Sequence, residues 1–257
     1  KSKNIDVIVL DHHQSEINLP NAYSIINPNR LDDQSNLNYL CAAGVTFMFL
    51  VSLNKQLRLE NWFEEKNIQE PNLIEYLDLV SLGTVCDVVP LIGLNRAIVK
   101  QGLKVLKTKK NLGLKTLIDI CGINTQPNVY HMGYVLGPRI NAGGRVGKSS
   151  HGANLLINNN AKEVFKIASE LDQFNKERKY LEEEVLDKIT IEANKTRSDP
   201  VIIVSGKNWH EGVIGIVASR LKDKFNKPVI IITVDNSLGK ASARSIIGFD
   251  IGSIIIA

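Results

Sequence analysis

The run Ile5-Asp6-Val7-Ile8-Val9-Leu10, closed by Asp11-His12-His13, constrains this chain more than any other stretch. A short, nearly continuous β-branched run of this kind predicts a strand buried on both faces of a parallel sheet. The polar triplet then stands at the strand's carboxyl end, the edge at which open parallel sheets build their ligand sites. An aspartate oxygen and imidazole nitrogens at one sheet edge suit manganese, iron or zinc. Equally, Asp11 can cap the turn that follows while the histidines are ordinary loop residues. Alone, the triplet leaves both readings open.

Further along, Leu73, Ile74, Leu77 and Val80 keep helical spacing up to Gly83, and Leu94, Ile98, Leu103 and Leu106 mark another helix that Asn95 can cap. Between them, Gly83-Thr84-Val85-Cys86-Asp87-Val88-Val89-Pro90 reads as a loop carrying one acidic group. From Ala161 to Lys195, Glu, Lys and Leu dominate, and Phe165, Ala168, Leu171, Leu181, Val185 and Ile189 share a stripe. This predicts one helix about 50 Å long at roughly 1.5 Å per residue, entered through Asn158-Asn159-Asn160. Beyond Ser198-Asp199-Pro200, a strand over Val201 to Val204, a helix from about Gly212 to Phe225 and a strand over Val229 to Val234 form a β-α-β unit with its own core.

Composition bounds the rest. At 257 residues, 44% hydrophobic and 23% charged, the chain is long enough for one large domain or two modest ones. Aromatics at 6% argue against base stacking as its main device. A formal charge of +4 permits a polyanionic partner, and since no run of five like charges occurs, any basic surface must be assembled by the fold. Cys41, Cys86 and Cys121 are odd in number and lie in apolar segments, as buried thiols in a reducing compartment would. No apolar stretch approaches the roughly 18 residues of a membrane span and no signal-peptide pattern opens the chain, so a cytoplasmic location is expected. The start at Lys1 and the apolar end Ile254-Ile255-Ile256-Ala257 give the expectation of a piece of a longer protein.

Five stretches in order carry a resemblance. After the triplet come Leu82-Gly83-Thr84-Val85-Cys86-Asp87-Val88-Val89-Pro90-Leu91, then Gly137-Pro138-Arg139-Ile140-Asn141-Ala142-Gly143-Gly144-Arg145-Val146-Gly147. The segment from Trp209-His210-Glu211-Gly212 to Leu221 and Gly239-Lys240-Ala241-Ser242-Ala243-Arg244-Ser245 complete the set. Together they resemble the RecJ-like exonucleases of the DHH phosphoesterase family over nearly the whole chain. The resemblance implies an α/β fold: a partial, parallel-sheet DHH domain over 1–115, a helical connector with a glycine-rich arginine loop over 116–197, and part of a smaller α/β DHH-associated domain over 198–257.

It also implies chemistry: hydrolysis of single-stranded DNA from its 5′ end, in recombination and repair, at a two-metal centre of Mn2+ or Mg2+. Asp11, His12 and Asp87 inherit metal-site roles, with Asp11 also catalytic, and His13 would face the scissile phosphate. Such metal pairs activate water and neutralise charge on the phosphodiester, and carboxylates bridge them well. The family's first two aspartate motifs lie upstream of the triplet, so the metal site is expected to be incomplete in this chain, the chain inactive alone, and an upstream polypeptide its complement. Arg145 reads as a turn arginine or as a phosphate clamp whose flanking glycines admit a phosphate closely. The resemblance favours the clamp and gives Arg220, Ser242 and Arg244 a comparable hold on the strand.

Other polar groups read more plainly. His210-Glu211 lacks the spacing of a second metal site, and the helix that follows offers N–H groups to an anion. Asp32-Asp33 and Glu182-Glu183-Glu184 read as solvated surface, and His131 and His151 as core or surface histidines. The rival functions are a DHH phosphodiesterase acting on short oligonucleotides or cyclic dinucleotides, and a DNA-binding remnant without catalysis.

Overall fold

A computed structural model describes residues 5–196, 198–235 and 238–256, and the chain folds as two compact units, 1–137 and 138–257. In the first, β1 (Ile8–Leu10) pairs in parallel with β2 (Ser24–Ile26), Ile8 opposite Ser24 and Leu10 opposite Ile26. Then come α1 (Ala42–Leu59), α2 (Trp62–Glu65), a 3-10 turn (Leu73–Tyr76), α3 (Leu77–Cys86), α4 (Gly93–Lys107), α5 (Leu112–Ile120) and a π-helical stretch (His131–Leu136). No helix among the described residues is long and apolar enough to cross a membrane.

The strand expected over Ile5–Leu10 is shorter and wetter than its composition suggests. Ile5, Val7 and Ile8 are 64%, 48% and 50% exposed. Among the described residues β1 has β2 as its one hydrogen-bonded neighbour, so its aliphatic run is not covered on both faces as a central parallel strand would be.

The core of this unit forms where Leu77 and Val80 of α3 meet Ile98 of α4, with Phe47, Leu94 and Val105 packed around them. At Gly102 the two helices nearly touch: a Cβ there would stand 2.2 Å from the Leu77 carbonyl oxygen and 2.3 Å from Ser81 Oγ. Two expectations need correction. The first half of the predicted loop, from Gly83 to Cys86, is helix, because Leu82 and Thr84 are buried and the Thr84 hydroxyl donates back to Val80 O at 2.8 Å. Asn95 is not a cap either. It lies buried within the first turn of α4, where its Nδ2 donates to Tyr39 O at 2.7 Å and to Pro90 O at 2.9 Å.

α6 (Gly137–Val146) leads into the second unit, followed by α7 (His151–Ile157), α8 (Ala161–Lys195), β3 (Ile202–Lys207), α9 (Glu211–Phe225), β4 (Val229–Asp235), β5 (Leu238–Arg244) and α10 (Ile251–Ile256). α8 has the bounds its sequence predicts, and Asn160 Oδ1 caps it by accepting the N–H groups of Lys162 and Glu163. Ala168, Leu171, Val185 and Ile189 of the stripe are buried, whereas Phe165 points to solvent at 60% exposure. β3 and β4 run parallel on either side of α9 in sequence, and β5 adds antiparallel to β4. The last of the five resembling stretches, from Gly239, is therefore a strand as far as Arg244.

The predicted arginine loop is also regular, since Arg145 occupies the last turn of α6. Gly143 there serves packing rather than loop freedom: a Cβ on it would stand 2.9 Å from Lys148 O and 3.1 Å from Leu171. Val185, Ile189 and Ala193 of α8 share one core with Ile202, Val213, Val217 and Val229. The long helix thus belongs to the same unit as the β-α-β element, whereas the sequence reading sets boundaries at 115 and 197.

Gly102→Ala tests the helix contact in the first core. The added methyl group has nowhere to go without separating α3 from α4, at a cost of about 3 kcal/mol. Urea unfolding of the 257-residue chain should show a clear drop in midpoint, and an unchanged midpoint would contradict the contact.

Candidate active site and anion pocket

Asp11 leaves β1 with its N–H bonded to Ile26 O at 3.0 Å. Its Oδ1 accepts the backbone N–H groups of His12 at 2.7 Å and His13 at 3.3 Å, and lies 2.7 Å from His13 Nδ1. The carboxylate does cap the turn. The His13 contact is also the main reason the Asp11 carboxyl sits below its ordinary pKa, with the two N–H bonds adding to it against partial burial.

Two residues that the sequence reading passes over fix the loop from the β2 side. Asn27 Nδ2 donates to His13 O at 2.9 Å, and Asn29 Nδ2 donates to His12 O at 2.7 Å. The signal was available in Asn27-Pro28-Asn29, a polar turn directly after an apolar strand.

Asp87 follows α3 as its C-cap residue, with its N–H on Gly83 O at 3.0 Å. From there its Oδ2 comes within 3.4 Å of His12 Nδ1, the ring 18% and the carboxylate 40% exposed. The structure thus joins His12 to Asp87, and Asp11 to His13. Among the described residues no three His, Cys, Asp or Glu side chains converge into a full ligand set. Oxygen donors with one imidazole nonetheless suit manganese, and the carboxylates suit magnesium.

The second unit assembles a cavity of about 500 Å³ lined by Arg145, Lys240, Glu211 and Ser242 together with Gly144, Gly212 and Gly215. Strand geometry explains part of this, because Lys240, Ser242 and Arg244 alternate along β5 and share one face. That face meets α9 at a glycine: the Cβ that Gly215 lacks would stand 3.1 Å from Ser242 Oγ and 3.2 Å from Arg244 Nη2. Arg145 arrives from α6 and donates through Nη1 to Gly212 O at 3.0 Å. A side chain at position 212 would strike the Arg145 carbonyl oxygen at 2.4 Å.

Arg145 reaches solvent, yet enough protein surrounds its guanidinium that burial lowers its pKa, with repulsion from Arg178 and Arg244 adding and Glu182 opposing. A phosphate would relieve that repulsion through charge-assisted bonds. Lys240 is already paired with Glu211.

Arg220 is placed differently from the other sequence-predicted residues. It does not line this cavity, and its Nη2 lies 2.6 Å from Glu182 Oε1. Glu182 in turn is not solvated surface but 1% exposed. His210 caps α9 by accepting the Gly212 N–H on Nδ1 at 3.1 Å, so that donor is not free for an anion. His131 accepts from Asn128 N, and the buried His151 pairs with Glu170 at 2.7 Å.

Comparison with known proteins fits this division. The DHH family, N-terminal domain, matches residues 1–84, and the DHHA1 domain matches residues 198–257. The chain thus carries a DHH family, N-terminal domain and a DHHA1 domain. Among its relatives, the single-stranded-DNA-specific exonuclease RecJ of Salmonella typhimurium is 41% identical over 96% of this chain and 44% of its own length. RecJ of Escherichia coli is 40% identical with the same coverage. The chain thus spans less than half the length of these two relatives.

Two solved structures agree. Exonuclease RecJ bound to manganese superimposes with a TM-score of 0.78 at 31% identity, over 98% of this chain and 60% of that one. RecJ from Thermus thermophilus in complex with Mn2+ gives 0.79 at 30% identity, over 97% and 35%.

Cys86 precedes Asp87, and its Sγ donates to Met132 O at 3.6 Å. Burial first, then the charges of Asp87 and Cys41, push its thiol up to about 11. The thiol therefore stays protonated well into alkaline pH. At pH 8, iodoacetamide should alkylate Cys86 on the order of 100-fold more slowly in the folded chain than in urea. Equal rates would contradict this environment.

Proposed function

We propose that the chain forms part of a divalent-metal-dependent exonuclease that degrades single-stranded DNA from the 5′ end in recombination and repair. The observation that carries this reading is the approach of His12 Nδ1 to Asp87 Oδ2 at 3.4 Å. It unites two stretches that the sequence separates widely, each with a donor type that a hard divalent ion accepts. The naming of the relatives as RecJ supports the substrate class, and the manganese- and magnesium-bound RecJ structures support the cofactor.

In this reading Asp11, His12 and Asp87 hold Mn2+ or Mg2+. When bound, such a metal supplies Lewis-acid neutralisation of phosphodiester charge. The chain's own groups do the rest. Asp11, kept ionised by its bond to His13, offers a hard donor at the sheet edge. His13 is 79% exposed and tethered through Nδ1 to Asp11, which leaves Nε2 for the scissile phosphate. Arg145, Ser242 and Arg244 grip backbone phosphate, which every sequence presents alike. A rival, action on short oligonucleotides or cyclic dinucleotides, is separated by comparing cleavage of long single strands with that of dinucleotides.

Two carboxylates and one imidazole are too few donors to hold both ions of a metal pair. The 257-residue chain alone is expected to cleave DNA negligibly, an upstream polypeptide supplying the remaining carboxylates. Supplied with the preceding segment of a RecJ relative, it should cleave single-stranded DNA with manganese. In that protein Asp11→Ala, His12→Ala and Asp87→Ala should each lower the rate at least about 100-fold without unfolding it. Full activity in Asp87→Ala would sink the metal assignment.

A further inference from the structure

The middle of α8 contains a charge arrangement that solubility does not require. Glu183 and Glu184 face water, but Glu182 beside them is 1% exposed. Its Oε2 accepts from Arg178 Nη1 at 2.6 Å, and its Oε1 lies 2.6 Å from Arg220 Nη2. Arg178 is itself 9% exposed, and its Nη2 donates to Asn175 Oδ1 at 3.1 Å, Asn175 being 1% exposed. A buried carboxylate is costly unless paired, and removing one member of a buried pair leaves the other uncompensated. Glu182 is paired twice, to a buried arginine of its own helix and to a half-exposed arginine of α9.

The surroundings connect this cluster to the phosphate pocket. Arg220, paired with Glu182, stands on α9, and the same helix carries Gly212, whose carbonyl accepts from Arg145 Nη1 at 3.0 Å, and Gly215, which lies against Ser242 and Arg244. Arg178 and Arg220 carry like charges, and the carboxylate they share offsets their repulsion. Arg220, which the sequence reading assigns to the strand directly, is held by that same carboxylate.

We infer that Glu182 is a positioning residue for the anion pocket: it gathers Arg178 and Arg220 and fixes the setting in which Arg145 meets a phosphate. This rests on the reading of Arg145, Ser242 and Arg244 as a phosphate site. Glu182 touches no substrate in this role. It acts through the arginines, so its loss weakens phosphate binding even though it removes a negative charge. Positioning and bare charge therefore act in opposite directions, and a binding measurement separates them.

The probe is a 5′-phosphorylated single-stranded oligonucleotide, with binding to the 257-residue chain followed by fluorescence anisotropy over a range of salt without divalent metal. Glu182→Gln should raise Kd about fivefold to tenfold while far-ultraviolet circular dichroism stays unchanged. Should Glu182→Gln fail to fold, the double variant Glu182→Leu with Arg178→Met decides, because it removes both buried charges together and leaves neither unpaired. It should fold and still bind more weakly. Tighter binding by Glu182→Gln, or wild-type binding by the double variant while Arg145→Ala is weakened, overturns the inference alone. Arg145→Ala with wild-type affinity and salt dependence overturns the phosphate reading and the inference with it.

Discussion

Close backbone approach at two glycines is the constraint on which the functional geometry of both units depends. In the first unit, Gly102 lets α4 lie against α3 where a methyl group would meet Leu77 O at 2.2 Å. In the second, Gly212 lets the start of α9 lie under the end of α6, where a methyl group would meet Arg145 O at 2.4 Å. Interiors this dense have no slack for an added carbon. Each contact also locates a charge: α3 ends at Asp87, and α6 carries Arg145 in its last turn.

The two units present opposite chemistry. Asp11, His12 and Asp87 are partly exposed oxygen and nitrogen donors, a set that favours a cation. Arg145, Ser242 and Arg244 form a donor-rich face that favours an anion. A phosphodiester hydrolase needs both, one to neutralise charge at the scissile group and one to hold the rest of the backbone. The second unit also holds a buried ion pair, Arg178 with Glu182, which lies out of water and is screened little.

How much was legible in the sequence follows from what each signal measures. α8 could be bounded because a long amphipathic stripe and the Asn160 cap are local properties. The β-α-β order of the second unit was legible for the same reason. α1 escaped because Val45, Phe47, Met48, Leu50 and Val51 run around the helix instead of forming one stripe. The segments from Gly83 and Gly137 read as loops because glycine is common punctuation, whereas here Gly137 and Gly143 make room for Cys86 and Leu171. The site followed the same rule. Asp11, His12 and Asp87 stand out as candidates by residue type and resemblance, but the pairing of Asp11 with His13 is a matter of rotamers. Ser242 and Arg244 were legible as members of a motif, and their common face required knowing that the motif is a strand. Glu182 was misread because a run of three glutamates looks like surface, and its burial and its pairing with Arg220 are properties of the tertiary fold.

The most direct measurement is anomalous diffraction from crystals of the 257-residue chain soaked in saturating manganese, recorded for the wild type and for His12→Ala. An anomalous peak in contact with the His12 imidazole and the Asp87 carboxylate, absent from His12→Ala, is the expected result. A peak that touches neither residue, or one that survives in His12→Ala, would contradict the metal site on which the proposed chemistry depends.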